Sequence, residues 1–189
     1  MSDIFQVLGR DHAEVRSMLD QLESSRPERQ PPLPEQASER HKLVQHLVVE
    51  ESKHEAVEEM YFWPAVRESV PDGDDLANTA TSQETEGKKL LETLDSADPH
   101  DAEFETLLAK FISAGRHHIH FEETQVWPGL RKSLDAQKLD ELGAQVDEAK
   151  ATAPTRPHPA TPPKPGVLKT IGAAAAIADR ARDAATGRD

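Results

Sequence analysis

The sequence predicts an all-α protein: an antiparallel up-down four-helix bundle, followed by a Pro-rich linker and a short C-terminal helix. Three observations predict it. Apolar residues recur at helical spacing in four long segments, no segment alternates with a period of two, and the 14 prolines are unevenly spread.

The first segment runs from about Asp3 to Ser24, with Ile4, Leu8, Val15, Leu19 and Leu22 on one face, and the four prolines of SSRPERQPPLP end it. The second runs from about Glu35 into the Tyr61–Trp63 region and carries Leu43 and Leu47. Pro64 lacks an N–H and crowds the preceding turn, so a kink or an end is expected there. VPDGDD reads as a loop, and the third segment then covers about Asp75 to Leu94 before Asp98–Pro99 stops it. The fourth covers about Asp101 to Leu134, with Phe104, Leu108 and Phe111, and a shorter helical piece spans about Ala136 to Lys150. The bundle is therefore assigned residues 1–150. Residues 151–166 read as a semi-rigid linker, since six of the twelve residues from Pro154 to Pro165 are proline. Residues 167–189 have strong helix formers but few large apolar residues, namely Val167, Leu168, Ile171 and Ile177. Either a docked helix or a loosely held tail fits that composition.

A net charge of −13 argues against nucleic acid or an anionic membrane as partner and leaves carboxylates available for cations. Without cysteine there is no disulfide, thiolate metal site or Cys-ligated cluster. The opening MSDIFQVLGRDHAEV has neither a basic nor an apolar signal region, and no apolar run suits a membrane span, so a cytoplasmic location is expected.

HEAVEEMYFWP at residues 54–64 recurs as HIHFEETQVWP at residues 118–128. His54 and Glu58 are four residues apart, as are His118 and Glu122, so each pair projects from one side of its helix. Both pairs continue an apolar stripe: Leu43 and Leu47 lead to His54, Glu58 and Phe62, while Phe104, Leu108 and Phe111 lead to His118 and Glu122. The other two segments break their stripes in the same way. His12 interrupts Ile4, Leu8, Val15, Leu19 and Leu22, and Glu84 interrupts Leu76, Ala80, Gly87, Leu91 and Leu94. Buried unpaired carboxylates cost several kcal/mol or lose their charge. With no basic residue on these stripes, a cation is the expected partner of His12, His54, Glu58, Glu84, His118 and Glu122.

Six mixed imidazole and carboxylate ligands exceed the needs of one tetrahedral zinc and are too nitrogen-rich for calcium or magnesium. They suit two iron ions, or less well manganese, in a four-helix bundle. Three carboxylates and one oxo bridge would leave a ferric pair with a single net positive charge, bearable in a partly buried site. Glu55, Glu59 and Glu123 flank the ligands as contacts or solvated groups, and Glu55 is an alternative to Glu58. Tyr61 lies about one turn beyond Glu58, placed either to reach the centre or to pack. Trp63 and Trp127 are expected to close the floor of the bundle, and His41, His46, His100, His117, His120 and His158 to lie outside the centre.

Asp11-His12, His54-x-x-x-Glu58, and His118-x-x-x-Glu122 with its trailing Trp127-Pro128 resemble the hemerythrin-like (HHE cation-binding) domain over about residues 3 to 134. The Pro-rich tail with its DRARD stretch is similar to actinobacterial members. The resemblance implies a four-helix bundle with a non-haem, oxo- or hydroxo-bridged di-iron centre acting on O2, peroxide or nitric oxide, or sensing iron. The family's third-helix metal-binding His falls at Glu84 when its downstream Lys and Leu residues align with Lys88, Lys89, Leu90 and Leu91. Three His and three Glu then replace the five His and two carboxylates of oxygen-carrying hemerythrins. That set favours ferric iron, and with it peroxide decomposition, oxidation or sensing over reversible oxygen carriage.

Overall fold

A computed structural model describes residues 2–160 and 173–186, and every described regular element is helical. Helix α1 (Ile4–Ser24) opens with a reciprocal cap: Asp3 accepts from the Gln6 backbone N–H, and the Gln6 side chain accepts from that of Asp3. Helix α2 (Pro34–Val57) starts on a proline whose missing N–H is no loss in a first turn. It passes through a π-helical turn, π1 (Glu58–Phe62), into α3 (Trp63–Ser69). Helix α4 (Gly73–Ser96) follows a tight turn with Asp72 at φ 58°. Helix α5 (Ala102–Phe121) leads through a second π turn, π2 (Glu122–Val126), into α6 (Trp127–Ser133). Helices α7 (Ala136–Lys150) and α8 (Ala173–Thr186) complete the described chain.

The stop expected at Pro64 does not occur: the helix is interrupted by a π turn just before Trp63 and resumes through Pro64, and the same happens at Pro128. In an α-helix, the ring of Pro64 would meet the carbonyl four residues back. Instead, the backbone N–H of Trp63 reaches five residues back to the Glu58 carbonyl, and that of Trp127 reaches the Glu122 carbonyl. The wider turn absorbs the missing donor, and the helix resumes with proline in its first turn.

Helices α1, α2, α4 and α5 form a ring in chain order. The direction of each follows from two separate apolar clusters. Along α1 the chain passes from Leu8 in the lower cluster to Val15 in the upper, and along α2 from Val48 in the upper to Val57 in the lower. Helix α4 again rises from Ala80 to Leu91, and α5 descends from Phe111 towards Val126. The order is up-down-up-down, as the sequence predicts. Between the clusters lies a layer holding His12, His54, Glu84 and His118, one from each helix. Two stripe assignments shift slightly: Ala77 and Val44 are fully buried where Leu76 and Leu43 are only partly so.

Helix α7 lies across α1, α2 and π1. The C-terminal helix is held by polar contacts. Thr155 Oγ1 donates to Asp183, Arg156 bridges Asp95 and Asp183 at 3.2 and 2.7 Å, and His158 Nε2 lies 3.0 Å from Asp179. His158 thus lies outside the centre, as expected, and contacts α8. Ile177, one of the few large apolar residues of this segment, is 70 % exposed, while Asp179 and Asp183 make the contacts of α8 named above. Val167, Leu168, Ile171 and the end of the Pro-rich stretch lie outside the described residues.

The closeness of α7 to α1 gives a direct test. A Cβ on Gly143 would stand 2.4 Å from the Ser2 carbonyl oxygen and 2.7 Å from the Asp3 carbonyl carbon, both backbone atoms. Gly143→Ala is expected to cost about 1–3 kcal/mol in chemical denaturation, the range for overpacking a tight contact.

Candidate metal centre

The six residues that interrupt the apolar stripes converge in the polar layer. Ligand atoms of His12, His54, Glu58 and Glu122 lie within 4.8 Å of one another, and so do those of Glu58, Glu84, His118 and Glu122. The two groups share Glu58 and Glu122, the first residues of the two π turns. These shared carboxylates are fully buried, at 0 % exposure.

Each histidine turns Nε2 to the centre and Nδ1 outward. His12 Nδ1 is 3.0 Å from Glu123, His54 Nδ1 is 3.3 Å from Asp11, and His118 Nδ1 is 3.0 Å from the Gln83 side-chain oxygen. Such acceptors hold the proton on Nδ1 and leave Nε2 free for a metal. Arg16 grips Glu123 with two bonds of 2.9 and 2.6 Å, and Lys150 donates to Asp11 at 2.6 Å. Trp63 Nε1 donates to one oxygen of Glu84, leaving Oε2 without a partner. Trp127 stacks on His12, with ring centroids 5.1 Å apart. The tryptophans thus close the floor and also hold two of the candidate ligands.

The atoms facing the centre are buried and lack hydrogen-bond partners: Nε2 of all three histidines, both oxygens of Glu58 and Glu122, and Oε2 of Glu84. Their mutual approaches, such as 3.2 Å from His12 to Glu122, 3.4 Å from His54 to Glu58 and 3.0 Å from His118 to Glu122, are ionic contacts without aligned hydrogen bonds. Eight orphaned atoms at one point are costly in a bare protein and are the lone pairs that cations would take. The donor set fits two cations with Glu58 and Glu122 between them.

Proton affinities reflect the same crowding. Burial, followed by Glu122, Glu84 and Glu55, pushes the Glu58 carboxyl well above its ordinary range. Burial also raises Glu84, with Glu59 and Glu55 adding to it against the opposing pull of Lys88 and His118. Burial would raise Glu122 as well, but His118 and His12 hold it well below the usual range. His118, despite burial that favours its neutral form, is lifted to about 9 by Glu122, Glu84 and Glu51. The metal-free centre thus shares protons among groups that a cation would displace.

As expected, no lysine or arginine among the described residues forms an ion pair with Glu58, Glu84 or Glu122, although a buried lysine, Lys88, stands on the Glu84 stripe. It is 7 % exposed, one turn beyond Glu84, and its Nζ lies 2.6 Å from Glu59 and 3.7 Å from Glu55. The long alkyl stem brings the ammonium to carboxylates on α2 and π1, although Lys88 follows Gly87 on a face read as apolar. Lys88 pairs with the flanking carboxylates and reaches Glu84 only as a longer-range pull, which leaves Glu58, Glu84 and Glu122 without a lysine or arginine partner. Glu55 is buried with Oε2 lacking a hydrogen bond, and burial pushes its carboxyl well above the usual range. It belongs to neither four-residue group, and neither does Tyr61, which packs partly buried against the lower apolar cluster. His117 and His120 are exposed. Asp11 as a support for His54, and Gln83, escaped the sequence reading, because outward partners follow no apolar periodicity.

Comparison with known proteins agrees with this geometry. The family model of the hemerythrin HHE cation binding domain matches residues 3–130, and the chain belongs to that family. A hemerythrin-like protein of Schizosaccharomyces pombe, described as uncharacterized, is 25% identical over 138 residues, covering 72% of this chain and 68% of its own. A protein of Nostoc sp. named DNA nickase is 22% identical over 149 residues, which span 79% of this chain but only 39% of that one. The crystal structure of a hemerythrin HHE cation binding domain-containing protein from Mycobacterium kansasii superposes with a TM-score of 0.65 at 20% identity, covering 95% of this chain and 99% of that one. That likeness establishes the fold.

Lys88→Met would leave Glu55 and Glu59 buried without their cation, and it is expected to lower stability by about 3–5 kcal/mol in chemical denaturation. Adding Glu59→Gln should recover part of the loss; a Lys88→Met protein as stable as the parent would contradict the pairing.

Proposed function

We propose that the chain is a di-iron protein that decomposes peroxide. The observation that carries this reading is the pair of four-residue groups sharing Glu58 and Glu122, with their buried lone pairs unsatisfied. His12 and His54 would complete one iron position, Glu84 and His118 the other, with an oxo or hydroxo bridge between the ions; manganese suits the same donors less well. When bound, the pair supplies the two-electron change needed to turn two molecules of hydrogen peroxide into two of water and one of dioxygen.

The chain's own residues prepare this chemistry. Glu123, Asp11 and Gln83 set the tautomers of the three histidines, and Trp63 restricts Glu84 to one free oxygen. Apolar clusters above and below exclude water, which strengthens each electrostatic contact in the layer. Each metal position draws only four protein ligands, which leaves coordination open for a small molecule. Three carboxylates favour ferric iron, so peroxide suits the centre better than reversible oxygen carriage. No helix among the described residues is long and apolar enough to cross a membrane, and the acidic surface suits a cytoplasmic protein without nucleic acid as partner.

One observation favours a second reading, the sensing of O2, nitric oxide or iron. Arg180 of α8 donates to the Ala151 carbonyl, and the preceding residue, Lys150, holds Asp11 against His54. Changes at His54 thus have a short route to the C-terminal helix.

Purified protein is expected to carry about two irons per chain and to release dioxygen from hydrogen peroxide, with turnover lost in His118→Ala. Iron-loaded protein without turnover, whose C-terminal protease sensitivity changes on adding nitric oxide or O2, would replace the enzymatic reading with the sensing one.

A further inference from the structure

The three histidines of the centre do not have equivalent supports. His12 and His54 direct Nδ1 to carboxylates, and each carboxylate is also bonded to a cation, Arg16 or Lys150. His118 directs Nδ1 to Oε1 of Gln83, a neutral amide on α4, at 3.0 Å. For His118 Nε2 to bind a metal, Nδ1 must carry the proton, so Gln83 must present its oxygen and not its NH2. A carboxylate acceptor makes an imidazole a stronger donor and favours the more oxidised metal; an amide orients it without that push.

The difference follows the ligand charges. The position formed by His12 and His54 has two neutral side chains of its own besides the shared glutamates, and both are backed by carboxylates. The position formed by Glu84 and His118 has an anionic ligand of its own, and there the support is uncharged. Glu84 and Gln83 are adjacent on α4: one supplies the charge and the other withholds a second.

We infer that Gln83 is a positioning residue that orients His118 through a neutral acceptor and thereby sets the affinity and reduction potential of one metal position, that of Glu84 and His118. The inference rests on the di-iron reading and adds to it a division between the two positions. The neutral amide adds no second negative charge to that of the Glu84 ligand, so that this position still accepts an electron.

The test is an anaerobic titration of metal-free full-length protein with Fe(II), followed by Mössbauer spectra and redox potentiometry, on the parent, Gln83→Leu and Gln83→Glu. The parent should bind two equivalents. Gln83→Leu should bind one equivalent as the parent does and the other about 10- to 100-fold more weakly. Gln83→Glu, nearly the same shape, should bind both but with one spectral component and the midpoint potential shifted to lower values. Restored binding with a shifted potential is an outcome that packing alone would not give. Parent-like binding in Gln83→Leu with an unchanged potential in Gln83→Glu would overturn this inference and leave the di-iron reading standing. Equal weakening of both equivalents would overturn the assignment to one position. A parent that takes up no iron would sink the di-iron reading and this inference with it.

Discussion

An ionised carboxylate inside a helical bundle persists only beside compensating positive charge, and this bundle places Glu58, Glu84 and Glu122 together at mid-height with five of their six oxygens lacking a hydrogen-bond donor. The rest of the structure is arranged around that burden. The layer divides the core in two, so each long helix must supply an apolar run on both sides of its His or Glu. Lys88, the one buried lysine among the described residues, pairs with Glu55 and Glu59, which leaves the inner groups for cations. Helix α7, an addition to the four-helix ring, contributes Lys150 to the support of His54.

The repeated motif gains a structural reason from the π turns. Glu58 and Glu122 both begin such a turn, immediately before Trp-Pro, and both belong to each group of candidate ligands. Proline at the next helical start favours the wide turn, and the wide turn lets a glutamate one turn beyond its histidine project between two positions. The tryptophans have diverged within the repeat. Trp63 donates to Glu84, whereas Trp127 stacks on His12 with its own N–H buried and unbonded. A duplicated sentence therefore builds an asymmetric centre.

The bundle, its four long helices and the convergence of His12, His54, Glu58, Glu84, His118 and Glu122 were legible in the sequence, because a polar residue on an apolar stripe stands out against a helical period. The continuation of the second helix past Pro64, and the π turns in both helices, were not, since a π turn leaves no compositional mark. The pairing of Lys88 with Glu55 and Glu59 was not legible because its charge lies far from its backbone position, and periodicity locates Cα atoms. Gln83 and the role of Asp11 were invisible for a related reason: an outward partner is defined by the neighbouring helix that it meets. The contacts of α8 depend on Asp179 and Asp183 meeting Thr155, Arg156 and His158 across a Pro-rich stretch, and an apolar pattern carries no trace of such polar pairing.

The central claim is that cations complete the polar layer, and thermal unfolding of the metal-free protein during stepwise addition of Fe(II) tests it most directly. Ligands that bind only the folded state raise its stability with concentration. The expected result is a rise in Tm that stops after two equivalents per chain and is lost in His54→Ala. A Tm indifferent to Fe(II), in protein that is folded throughout, would contradict the account.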